Sequence, residues 1–106
     1  MAESDFQGKL IKKIHKMFDG CVVMKNDPTY IQGIPDLLVL YKNKWAALEC
    51  KKSSKAHKQP NQGYYVDKLN EMSFASFISP ENEEEVLNDL QQAFKSRRTT
   101  RVSRSK

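Results

Sequence analysis

Gly33-Ile34-Pro35-Asp36-Leu37-Leu38-Val39-Leu40-Tyr41, then Lys42-Asn43-Lys44, then Trp45-Ala46-Ala47-Leu48-Glu49-Cys50-Lys51, is the stretch on which the fold turns. Two apolar, β-prone runs joined by so few polar residues predict an antiparallel hairpin of strands 36–41 and 45–51. Side chains alternate along a strand, so Glu49 and Lys51 share one face and Cys50 takes the other. The start of the first strand then lies beside the end of the second, which brings Asp36 within cross-strand reach of Glu49 and Lys51.

Upstream, Phe6, Leu10, Ile14, Met17 and Phe18 recur at helical spacing and predict a helix over about 4–18, opened by a Ser4/Gln7 capping box and stopped by Asp19-Gly20. Cys21–Met24 reads as a short strand and the residues from Asn26 as a loop that carries Lys25 and Tyr30 toward Asp36. Downstream, 53–59 is a polar, basic loop. Pro60 suits the first turn of a second helix ending near Ser73, with Tyr64, Tyr65, Val66, Leu69 and Met72 as its periodic residues. Phe74–Ile78 is a strand, and Ser79-Pro80-Glu81 opens a last helix carrying Val86, Leu87, Leu90 and Phe94. Glu81, Glu83, Glu84 and Glu85 would complement the dipole of its first turns. The order α-β-β-β-α-β-α predicts one α/β domain over 1–94, followed by a basic tail over 95–106.

A chain of 106 residues leaves no room for a second core. With 39% hydrophobic and 29% charged residues it is too apolar for full disorder, and no run approaches the ~18 apolar residues that a membrane span needs. The N-terminus lacks the basic start of a secretory signal and nothing in the sequence requires an oxidising compartment, so a cytoplasmic location is expected. Cys21 and Cys50 have no CxxC spacing and read as small buried residues, and His15 as structural. The net charge of +5 resides in the tail: 95–106 holds six basic residues and no acid, whereas 1–94 holds 12 basic and 13 acidic.

Asp36, Glu49 and Lys51 are the chemical anomaly. Two carboxylates converging at a sheet end repel unless a cation lies between them, and hard oxygen ligands favour Mg2+, with Mn2+ as a substitute. A lysine two positions from one carboxylate can orient a water and offset charge developing on phosphate. The alternative is a buried ion-paired triad, which is costly to desolvate and adds little stability.

Ile34-Pro35-Asp36, twelve residues, then Glu49-Cys50-Lys51 resembles the signature of the PD-(D/E)XK nuclease superfamily. With Gly33 before it, Leu48 and Lys52 flanking the second element, and Gln62 opening the helix that continues to Tyr65 and Leu69, the chain looks like the small stand-alone virus-type replication-repair (VRR-NUC) nucleases. These are related to Holliday-junction resolvases and common in phage genomes. The resemblance spans roughly residues 3–94. It implies a restriction-endonuclease-like αβββαβ core with a mixed sheet and a C-terminal helix.

It further implies metal ligands at Asp36, Glu49, the Cys50 backbone carbonyl and Glu3, which shares a helical side with Gln7 and Ile14. Lys51 takes the catalytic-lysine role, and Gln62, with Gln59 as the competing candidate, contacts water or phosphate. The implied activity is Mg2+-dependent endonucleolytic hydrolysis of DNA, on branched or junction substrates, by a homodimer without a nucleotide cofactor. Lys25, Lys52, Lys55 and Lys58 are the expected DNA contacts, since 42–58 holds six lysines against Glu49 alone. The rival readings are a nicking or flap endonuclease of the same fold and a non-catalytic DNA-binding module.

Overall fold

The computed structural model describes residues 2–95. Seven elements follow in chain order: α1 (Glu3–Met17), β1 (Val22–Lys25), β2 (Leu37–Tyr41), β3 (Lys44–Cys50), α2 (Pro60–Met72), β4 (Phe74–Ile78) and α3 (Glu83–Lys95). The strands form one mixed sheet in the order β1-β2-β3-β4. The first two pairings are antiparallel and β3 pairs with β4 in parallel, which makes α2 the crossover. The chain is thus an α/β protein with three helices on a four-stranded mixed sheet. Among the described residues, no helix is long and apolar enough to cross a membrane.

The hairpin forms as its sequence predicts, one residue tighter. Tyr41 faces Lys44 across a two-residue turn, so Lys44 belongs to β3 and not to the connection. Lys42 takes the positive φ, 57°, that a right-twisted hairpin requires at the first turn position. Alternation along β3 assigns its faces. Ala46, Leu48 and Cys50 join the main core with Phe6, Leu10 and Ile14 of α1 and Leu87, Leu90 and Phe94 of α3. Trp45 and Ala47 meet Val66 and Leu69 of α2 in a smaller cluster with Ala75 and Phe77 of β4. The sheet therefore lies between α1 and α3 on one side and α2 on the other.

Several expected boundaries shift for identifiable reasons. Helix α1 begins at Glu3 with Ala2 as its N-cap, whose carbonyl accepts from Asp5 and Phe6 N–H, and the Ser4 side chain makes no cap. Lys25 pairs with Leu37 as the last residue of β1 and is not a loop residue. Only Val66 of the α2 periodic set is fully buried. Tyr64 and Met72 face solvent because α2 covers only β3 and β4. Glu81 precedes α3, and its carboxylate instead accepts the Ser54 N–H at 3.0 Å. Lys95 ends α3, so the expected tail begins one residue later, outside the described residues.

Candidate active site

Register alone brings the two acids together. Leu37 pairs with Leu48, so Asp36, one residue before β2, stands across from Glu49. Two reciprocal bonds lock the arrangement: the Asp36 N–H donates to Glu49 Oε1 at 3.2 Å, and the Cys50 N–H donates to Asp36 Oδ2 at 3.0 Å. Asn26, at the end of β1, holds the incoming chain. Its N–H donates to the Asp36 carbonyl and its side-chain amide to the Pro35 carbonyl, each at 2.8 Å.

Glu49 is 2% exposed and Lys51 8%, on the α2 side of the sheet. Lys51 Nζ lies 3.8 Å from Glu49 Oε2 and donates to Gln62 Oε1 at 2.8 Å and to the His57 carbonyl at 3.0 Å. Gln62 completes the ring by donating from Nε2 to Glu49 Oε2 at 2.8 Å. The two ends of this amide are thereby assigned, oxygen toward the cation and nitrogen toward the anion. The same Oε1 accepts the Gln59 N–H at 3.0 Å, while the Gln59 side chain caps the Gln62 N–H. This reciprocal capping box opens α2. Gln59 is therefore the N-cap, and Gln62 is the residue that reaches the acids.

The charge balance is uneven: two carboxylates share one ammonium. Burial, reinforced by Asp36 and only partly offset by Lys51, pushes Glu49 up to about 7. Burial likewise raises Asp36, against the Cys50 N–H and Lys51. The Cys50 thiol, on the opposite face, is pushed up to about 12 by burial and then by Asp36, with a Gln7 side-chain hydrogen bond opposing, so it is an inert core group. Cys21 is also raised, chiefly by burial, and lies 3.6 Å from His15 Nδ1 at the end of α1.

The remaining expected residues are placed less tightly. Glu3 is exposed at the first turn of α1; its charge is felt at Glu49 and Cys50, yet among the described residues no three His, Cys, Asp or Glu side chains converge as a metal-holding group. Lys52 and Lys55 are exposed in the 51–59 loop beside Lys51. Lys58 does not project freely, since its Nζ sits 4.3 Å from the Phe77 ring centroid. Asn26 is not marked as a site residue by its sequence context, and His57 reads there only as part of the basic loop beside the site. Asn26 reads locally as a turn former, and His57 acts through a carbonyl that no side-chain pattern encodes.

Asp36 and Glu49 are the side chains that could hold a small divalent cation. Asp36, half-buried, and Glu49, buried, bring two hard carboxylates together with one positive charge too few, and a cation beside them would supply it. No protein-family model, curated protein or solved structure matches this chain.

Proposed function

We propose that this chain is a Mg2+-dependent DNA endonuclease of the PD-(D/E)XK type, similar to the VRR-NUC group, with β1–β4, α1 and α2 as its αβββαβ core. The observation that carries the reading is the amide of Gln62 joining Glu49 to Lys51. Glu49 and Lys51 from the end of β3 and Gln62 from the first turn of α2 meet beside Asp36, which immediately precedes β2. A structural ion pair would need only Glu49 and Lys51. The second acid accepts the Cys50 N–H, a bond that a neutral acceptor would make as well, and it raises the charge cost of the cluster.

Asp36, Glu49 and the Cys50 carbonyl would hold the ion, with Glu3 approaching from α1. The bound ion would supply Lewis-acid charge stabilisation to the phosphate. The protein's own groups do the positioning. Lys51, held by the His57 carbonyl and Gln62, presents its ammonium toward a phosphate oxygen and an attacking water. Water adds to phosphorus in line with the departing sugar oxygen. The phosphorus–oxygen bond to that sugar breaks, and the two water hydrogens end on the new phosphate and the released hydroxyl. Lys52, Lys55 and Lys25 are exposed and would neutralise flanking phosphates. A two-fold dimer would place two such sites on the strands of a branched substrate.

The test is incubation of four-way, flap, single-stranded and linear duplex DNA with Mg2+ or EDTA, beside Glu49→Gln. Cutting of branched DNA that needs Mg2+ and is abolished in the variant, with DNA binding retained in Ca2+, is the expected result. Binding without cleavage on all four substrates would replace the nuclease by a DNA-binding module. Preference for flap or nicked duplex products would move the substrate within the same fold.

A further inference from the structure

We infer that the cleft between the 28–33 loop and the first turn of α2 receives one unstacked nucleobase of the DNA strand next to the cut phosphate; this deepens, and rests on, the nuclease reading. The cleft has a volume of about 390 Å3 and is lined by Pro28, Thr29, Gln32 and Gly33 on one side and by Pro60, Asn61 and Gln62 on the other. Its two walls touch at Gly33, which at φ 92° brings its Cα against the Asn61 backbone; an added Cβ would stand 2.3 Å from Asn61 Cβ.

The chemistry of the lining selects the occupant. Among the described residues no ionisable side chain lines the cleft, which disfavours a phosphate and leaves an uncharged polar guest. The amides of Gln32 and Asn61 each offer a donor and an acceptor, the pairing that the edge of a base presents, and the two prolines offer flat apolar surface. Tyr30, in the same loop, is 83% exposed with its ring free for stacking. The nearby acid, Asp27, has its Oδ1 engaged by the Thr29 N–H and hydroxyl, and its negative charge further disfavours a phosphate at the rim.

Location ties the cleft to the reaction. Gln62 forms part of its wall and with the same side chain holds Glu49 and Lys51. A base seated there would be a direct neighbour of the phosphate that Lys51 faces. The enzyme would then require a nucleotide that leaves its stack cheaply, as at a junction, flap or mismatch, and would discriminate DNA structure without reading sequence.

The experiment uses a DNA substrate that the wild-type protein cuts at a mapped position. 2-Aminopurine is placed in turn at the three positions on each side of that phosphate, and emission is followed on binding in Ca2+. One position should brighten several-fold, and Gln32→Ala and Tyr30→Ala, both in the exposed loop, should abolish the rise while keeping the wild-type melting curve. An abasic residue at that position should weaken binding roughly tenfold. Uniform emission with cleavage intact would overturn the base site and leave the nuclease standing. Absence of cleavage on every substrate would remove the nuclease reading and the base site together.

Discussion

Gln62 donates to Glu49 at 2.8 Å across a separation of 13 residues, and with its other amide atom accepts from Lys51. Removing that amide leaves the lysine and the carboxylate without their common partner. Gln62→Ala should lower cleavage about 10–100-fold, the usual cost of losing a group that orients a ligand, and destabilise the fold by about 1–2 kcal/mol through loss of the α2 cap. Cleavage rates beside a urea melt separate the two effects; equal losses in both would make the role purely structural.

Lys51→Ala removes the one cation from a buried pair of acids. At pH 8 the cost should be about 3 kcal/mol, because Glu49 must then either stay charged without its partner or take up a proton from a solution poor in them. At pH 5 it should shrink, since Glu49 then carries a proton. Denaturant melts of both proteins at the two pH values check this; a pH-independent cost would mean that Lys51 matters by packing alone.

Glu49 binds its proton more tightly folded than unfolded, with a pKa raised from 4.5 to about 7. The folded state therefore holds more proton between those values, and this contribution to stability is lost as pH rises through the window and is constant above it. Asp36 shifts in the same direction. Relative to Glu49→Gln, the wild type should lose stability from pH 5 to pH 7.5. Mg2+ should recover part of the loss, about 1.4 kcal/mol at ten times its dissociation constant. Thermal melts with Mg2+ and with EDTA test both; a Mg2+ effect equal in Asp36→Asn would place the ion elsewhere.

Gly33→Ala combines a left-handed backbone with a clash against the Asn61 backbone carbon at 2.8 Å. The expected penalty is about 2–4 kcal/mol. Gly63→Ala, where an added Cβ meets nothing within 4 Å, is the control and should be neutral or mildly stabilising. Similar melting of the two variants would mean that the loop yields without loss.

Deleting 96–106 removes five of the basic residues that give the chain its positive charge. If these contact phosphates, the slope of log affinity against log salt should flatten by about 0.9 per lost contact, with the melting point unchanged. An unaltered slope would assign the tail to solubility.

The hairpin was legible because its information is local: two apolar runs, a short polar connection and a two-residue period place Asp36, Glu49 and Lys51 together. The contribution of Gln62 was legible only through the pattern it resembles, since nothing local says that the start of α2 returns to the end of β3. The hold of Asn26 on Asp36 was not legible. It depends on how β1 pairs with β2 across a loop of eleven residues, 26–36, and short strands leave that register open. Which residues of α2 are covered is illegible for a related reason. Tyr64 and Met72 fit a helical period, but which strands the helix crosses is set by the parallel β3–β4 pairing, a long-range choice.

One oxygen, Gln62 Oε1, accepts both from Lys51 and from the Gln59 N–H that begins α2. Any substrate that draws this side chain toward itself unfastens the Gln59 amide, exposing its proton to exchange with solvent. Displacement of the Gln62 side chain and fraying of the helix start therefore lie on the same side of a single equilibrium.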